Sequence, residues 1–237
     1  MQKEKNSHED SIPKRLISKW FWLYFFWYLS APLWYIIRLI ISNSPDVSPH
    51  DIWILYSIIS LITFLYTYND LWLTWSLQYF LPKFKIHNKY NNIKFTIYFS
   101  LAVEIITWIL IAMWLRFWSD RLALNYFHDE NASKILKYFC FYFFWTNILQ
   151  VIQSIFKSLQ KTFEYKLTEF IKVFSILFFS IIFFLINQWN IEYYSIARVW
   201  GIFIAVIIWI LLYKKYRKNL MQWRFEWDQT VFKEYTK

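Results

Sequence analysis

Glycine is nearly absent from this chain. Gly201 is the only one among 237 residues, where ordinary usage is about 7% and membrane helices usually carry more than soluble ones. That excludes a Gly-rich loop cradling phosphate, and any nucleotide-binding fold built on one. Cysteine is limited to Cys140, inside an apolar run, so the chain has no disulfide framework and no thiolate metal site of its own. The four histidines, His8, His50, His87 and His128, lie outside the apolar runs and far apart in sequence, which argues against a histidine-based metal site. No Ser-His-Asp set and no HExxH occurs. The expectation is a protein that is not an enzyme, with no cofactor and no metal.

What is present is apolar and aromatic. Apolar residues make up 58% of the chain and aromatics 25%, and the net charge is +10. Runs this long and apolar predict an all-α polytopic membrane protein. Six spans are expected, over 20–42, 52–81, 95–118, 135–156, 167–186 and 195–213. Pro32 should kink the first. Ser48, Pro49 and Asp51 form a helix start, with Ser48 as N-cap and Asp51 reaching back as in a capping box. Lys214 to Lys218 should close the sixth span sharply, and 219–237 places Leu220, Trp223, Trp227 and Val231 on one helical face.

The charges orient the bundle. Segments 1–19, 83–94, 157–166 and 214–218 are rich in Lys and Arg, whereas 43–50 and 187–194 have none and 119–133 has only Arg121. The positive-inside rule then puts both termini in the cytoplasm and accounts for the basic excess without a nucleic-acid partner.

Within the spans, Thr63, Thr67, Asp70, Thr74 and Gln78 follow helical spacing, a polar stripe on one face of the second span. Thr146, Gln150, Gln153 and Lys157 repeat this on the fourth. Such stripes either join helices or line a wet cavity. Arg38, Asp70, Glu104, Lys172 and Arg198 are the intramembrane charges. Arg38, Lys172 and Arg198 are long enough to snorkel to the headgroups. Asp70 and Glu104 are not, and mark a site or a structural ion pair. By depth, Asp70 and Lys172 are expected near each other at the inner side.

Residues 31–84, APLWYIIRLIISNSPDVSPHDIWILYSIISLITFLYTYNDLWLTWSLQYFLPKF, carry a resemblance through Arg38, Ser48-Pro49, Tyr56, Asn69-Asp70-Leu71 and Phe80-Leu81-Pro82. The pattern resembles the first two helices of the oligosaccharide flippases of the multidrug/oligosaccharidyl-lipid/polysaccharide superfamily. QSIFKSLQKTFEYKLTEFIKVFSIL resembles that family's turn from helix four to five, and ARVWGIFIAVIIWILLYKKYRK its helix six. The resemblance implies one six-helix lobe of a MATE-like fold in a bacterial inner membrane, with 214–237 as a link toward a second lobe or a second copy. It implies a lipid-linked glycan substrate, carried on polyprenyl diphosphate and flipped for polysaccharide biosynthesis. The expected cavity residues are Arg38, Asp70, Thr74, Gln78, Glu104, Gln150, Gln153 and Arg198. Two alternatives stay open: a multidrug exporter lobe coupled to cations through Asp70 or Glu104, and a membrane-bound glycosyltransferase or polymerase.

Tryptophan is as abundant as glycine is scarce, at 16 residues. Trp34, Trp53 and Trp72 stand where the family pattern has glycine, and Trp108, Trp145 and Trp209 also lie inside spans. Close helix packing in membranes uses small residues. The composition therefore predicts that many of these positions are glycine in the cell, encoded by UGA in a code that reads it as Gly. The competing reading is a truly aromatic-rich lobe with its indoles toward lipid.

Overall fold

The computed structural model describes residues 11–69, 73–87 and 89–220, with the side chains of 17–69, 73–87 and 89–211. Every regular element among them is helical: α1 (Ser11–Ser42), α2 (Pro49–Asn69), α3 (Leu73–Ile86), α4 (Tyr90–Leu122) with a π-helical turn over Ala123–Phe127, α5 (Asn131–Ser158), α6 (Thr162–Leu185) and α7 (Ile191–Leu220). Six of these are long and apolar enough to cross a membrane. The chain is thus an all-α polytopic membrane protein.

Several span boundaries differ from expectation. The second span is described over α2 and α3, and residues 70–72 between them lie outside the described residues. Pro82 does not end α3, which continues through it to Ile86. The third span is longer at both ends. At 33 residues, α4 measures about 50 Å at about 1.5 Å of rise per residue, more than a hydrocarbon core of about 30 Å requires. The polar stretch expected to be a loop over 119–133 is mostly helix, because Ser119, Ala123 and Phe127 bury themselves against the bundle. The sixth span ends before the lysines, at Leu211 among the described residues, but its helix does not, since α7 runs on to Leu220. A run of lysines ends a membrane span but not a helix, for which Lys is a good former. Segments 1–10 and 221–237, including most of the expected amphipathic tail, lie outside the described residues.

The capping box forms as its residues demand. The Ser48 backbone N–H donates to Asp51 Oδ2 over 2.8 Å, and the Asp51 N–H donates to Ser48 Oγ over 3.2 Å. At helix C-termini the scarcity of glycine shows. His128, Gln160 and Asn187 hold φ of 54°, 57° and 59°, the left-handed conformation glycine usually supplies. After α5, Gln160 N–H donates to Lys157 O (3.0 Å) and Lys161 N–H to Phe156 O (2.9 Å). The same two bonds follow α6 from Asn187 and Gln188. Each non-glycine residue in this region costs about 1–2 kcal/mol, offset by carbonyls that would otherwise lack donors.

The α5 helix is the hub. Its face at Phe139, Cys140 and Phe143 packs on α2 and α4, and its face at Leu149, Ile152 and Phe156 packs on α7. Val151 and Ile155 meet α3 and α4. The α6 and α7 helices pack closely, and α1 lies along α6, while α1 and α2 scarcely touch. Gly201 sits at the α6–α7 crossing, where an added Cβ would meet Ile176 Cγ1 at 2.5 Å and its backbone N at 2.8 Å. Only glycine allows this approach.

Candidate functional site: a cation-lined cavity

Because α1 and α2 barely touch, a space of about 690 Å³ opens among α1, α2, α6 and α7. Its wall carries Arg38, Lys166, Lys172 and Arg198 against one carboxylate, Glu169. Ser30, Trp34 and Tyr56 add polar and aromatic surface. At the mouth, Trp27 and Tyr35 are 58% and 63% exposed.

Glu169 is already engaged. Lys166 Nζ lies 2.7 Å from its Oε2, and Tyr165 donates its hydroxyl to Oε1 over 2.8 Å. Lys166 and Glu169 are one turn apart on α6, a spacing at which opposite charges pair. That leaves Arg38, Lys172 and Arg198 as the surplus.

Arg198 is the most constrained of the three. It enters from α7 and is 3% exposed, so it does not snorkel. Its guanidinium carbon lies 5.5 Å from the Trp34 ring centre and 5.8 Å from that of Tyr56. The guanidinium also donates to the Tyr56 hydroxyl oxygen, but Nε and Nη2 have no hydrogen-bond partner. Arg38 reaches the same Tyr56 ring, at 5.5 Å. Cation–π contacts of this kind contribute about 0.5–2 kcal/mol. Placing an arginine at the centre of a membrane helix costs about 2.5–3.5 kcal/mol or more. Aromatic faces therefore cover only part of the cost, and two like charges share one ring. The arrangement suits a ligand with two or more anionic oxygens.

The expected site residues divide. Arg38 and Arg198 come together in the cavity. Thr74, Gln78, Gln150 and Gln153 are not among its lining residues: Thr74 is buried, and the three glutamines are half-buried elsewhere. The Thr63, Thr67 and Thr146 hydroxyls donate to carbonyls four residues back, Ile59, Thr63 and Tyr142. A threonine stripe can thus satisfy itself within its own helix. Glu104 is buried away from the cavity, on Asn69. Asp70 lies outside the described residues, and with it the expected neighbourhood of Asp70 and Lys172.

Sequence reasoning missed Lys166 and Glu169 as cavity residues. The signal was their i,i+3 spacing, hidden because Lys166 reads as the last residue of a basic loop. Of the questioned tryptophans, Trp34 lines the cavity and Trp53 is 52% exposed. Trp72 lies outside the described residues. Trp209 is fully buried against Phe156, and its indole N–H has no partner. Trp108 donates its indole N–H to the Cys140 carbonyl. Family models, curated proteins and solved structures yield no match to this chain.

Proposed function

We propose that this chain is a six-helix lobe of a transporter that flips a lipid-linked oligosaccharide, a glycan on polyprenyl diphosphate, across a bacterial cytoplasmic membrane. One observation carries the reading: Arg38 and Arg198 converge on Tyr56 in a cavity whose only carboxylate among the described residues, Glu169, is already paired. Arginine offers a planar fork that matches phosphate oxygens two at a time. A diphosphate would use both guanidiniums, and Nε and Nη2 of Arg198 are the free donors. The aromatic mouth at Trp27 and Tyr35 suits sugar faces and the first isoprene units. The polyprenyl tail would leave through the slight α1–α2 contact into lipid. The cation surplus disfavours the rival of a cationic-drug exporter, because such substrates would be repelled. The charge pattern of the loops supports both termini on the cytoplasmic side. Partners would be the membrane itself and a second lobe, in another chain or a second copy of this one, with alternating access between the two.

The test is flipping of a fluorescent polyprenyl-diphosphate oligosaccharide in proteoliposomes, read by quenching from outside. The wild type should expose the label to the quencher on both leaflets, and Arg198→Ala should not. Equal flipping by both proteins, or none by the wild type with any assembled partner, would reject the reading.

A further inference from the structure

A second polar centre lies apart from the cavity, where α2, α4 and α5 meet. Glu104 is 1% exposed, Asn147 2% and Asn69 4%. Asn69 Nδ2 donates to Glu104 Oε2 over 2.7 Å, and Asn69 Oδ1 is left with no partner. Asn147 has none for either amide atom. An uncompensated buried amide costs about 1–3 kcal/mol in proteins, so the wholly unpartnered Asn147 amide and the unpartnered Asn69 oxygen call for a ligand.

Helix register aims Asn147 at Glu104. Trp108 of α4 donates to the Cys140 carbonyl of α5 over 3.0 Å and packs on Phe144 at 4.3 Å. Farther along the same antiparallel pair, Ile97 and Leu101 of α4 gather with Val151 of α5. Glu104 lies one turn from Trp108 toward Leu101, and Asn147 one turn from Phe144 toward Val151. Both are therefore level, on the facing sides of their helices.

We propose that this centre binds one desolvated sodium ion, held by the Glu104 carboxylate and the amide oxygens of Asn69 and Asn147. The ligand chemistry is that of a hard cation, which takes carboxylate and amide oxygens. A single carboxylate balances a single charge, which favours a monovalent ion. A proton on Glu104 would serve one acceptor and leave an amide oxygen unmet, whereas a metal ion collects several oxygens at once. The site needs nothing from the cavity and does not depend on what the cavity carries.

The experiment is binding of ²²Na⁺ to the purified full-length chain in detergent, with displacement by NaCl and choline chloride as control. Saturable binding displaced by sodium and not by choline is expected. Asn147→Ala and Glu104→Gln should each weaken it about tenfold or more, the scale seen when a supporting ligand of a metal site is lost. Asn147→Asp should retain binding because it keeps an oxygen in place, and Arg198→Ala should bind as the wild type does. Size-exclusion profiles establish that each variant is folded, and Asn147→Ser stands in for any that is not. Absence of saturable binding in the wild type overturns the proposal. So does undiminished binding in Asn147→Ala, or a melting temperature that follows pH and ignores sodium.

Discussion

The cavity and the Glu104 centre handle buried charge in opposite ways. In the first, cations outnumber the one acid, and space of about 690 Å³ is left beside them. In the second, one acid and two amides are sealed with almost no exposure. The first arrangement can admit something large and exchangeable. The second fits only something small, stripped of water. A membrane interior penalises both, so each is stable only with a complement. The difference teaches that polarity in a span says little by itself. Free volume beside it separates a passage from a plug.

The sharpest way to break this comparison is Arg198→Met. If Arg198 serves a ligand, transport should fall by about 10²–10⁴-fold, the loss of two hydrogen bonds to a charged group at about 1.5–3 kcal/mol each. Stability should rise, by about 1–3 kcal/mol in thermal unfolding of the detergent-solubilised protein, since an uncompensated buried charge is replaced by a well-packed apolar chain. Lost stability would make Arg198 structural instead. Arg38→Ala should also abolish transport while membrane insertion stays normal. Arg38→Lys should restore only part, because a point charge replaces a fork. Full activity of the alanine variant would return Arg38 to headgroup snorkelling.

At the sealed centre, Asn69→Ala should destabilise by about 1–3 kcal/mol, because Glu104 loses a charge-assisted donor. Thr63→Ala, on the exposed face, should change stability by less than about 0.5 kcal/mol. Equal melting temperatures for the two would remove the energetic distinction between the sites.

How much of this was legible in the chain follows from range. The six spans follow from apolar run length, and the Ser48–Asp51 cap from three residues in a row. Arg38 and Arg198 stood out because charge is rare in spans. Their meeting at Tyr56 was not legible, since it depends on how α1, α2 and α7 close around a gap. The Thr and Gln stripes misled because spacing shows which face a residue takes and not what that face meets. Asn69 entered only as part of the Asn69-Asp70-Leu71 pattern, and Asn147 gave no sequence signal: a single Asn in a helix is ordinary until its amide atoms prove unpartnered.

Two checks act on the frame that holds the centres apart. Cysteines placed at Asn43 and Gln188 should react with an impermeant thiol reagent from outside intact cells, and one at Asn88 should not. The first two positions sit at one end of the bundle, near the Ser44–Tyr194 hydroxyl contact. Labelling at 88 would invert the molecule. Mass spectrometry of native peptides covering Trp34, Trp53, Trp72 and Trp209 should find glycine, with UGA codons beneath. A glycine at 34 would widen the cavity and remove one of the two rings beneath Arg198. A glycine at 209 would eliminate a buried indole N–H that now has no partner. UGG codons, or tryptophan in those peptides, would sink the recoding idea and leave the aromatic-rich lobe as written.

Gly201 has a mechanical consequence. Its contact with the Ile176 backbone locks α6 to α7 like two halves of a hinge plate with the pin removed. Lys172 lies one turn before the contact on α6, and Arg198 nearly one turn before it on α7, on opposite sides because the helices are antiparallel. The two charges are therefore spaced about 10 Å apart along the bundle, from about 1.5 Å of rise per residue, and cannot close on each other. They act as fixed graduations on a ruler. Under the proposed transport function, a ligand passing between them would itself do the moving, handed from one mark to the next while the far wall, at the slack seam between α1 and α2, gave way.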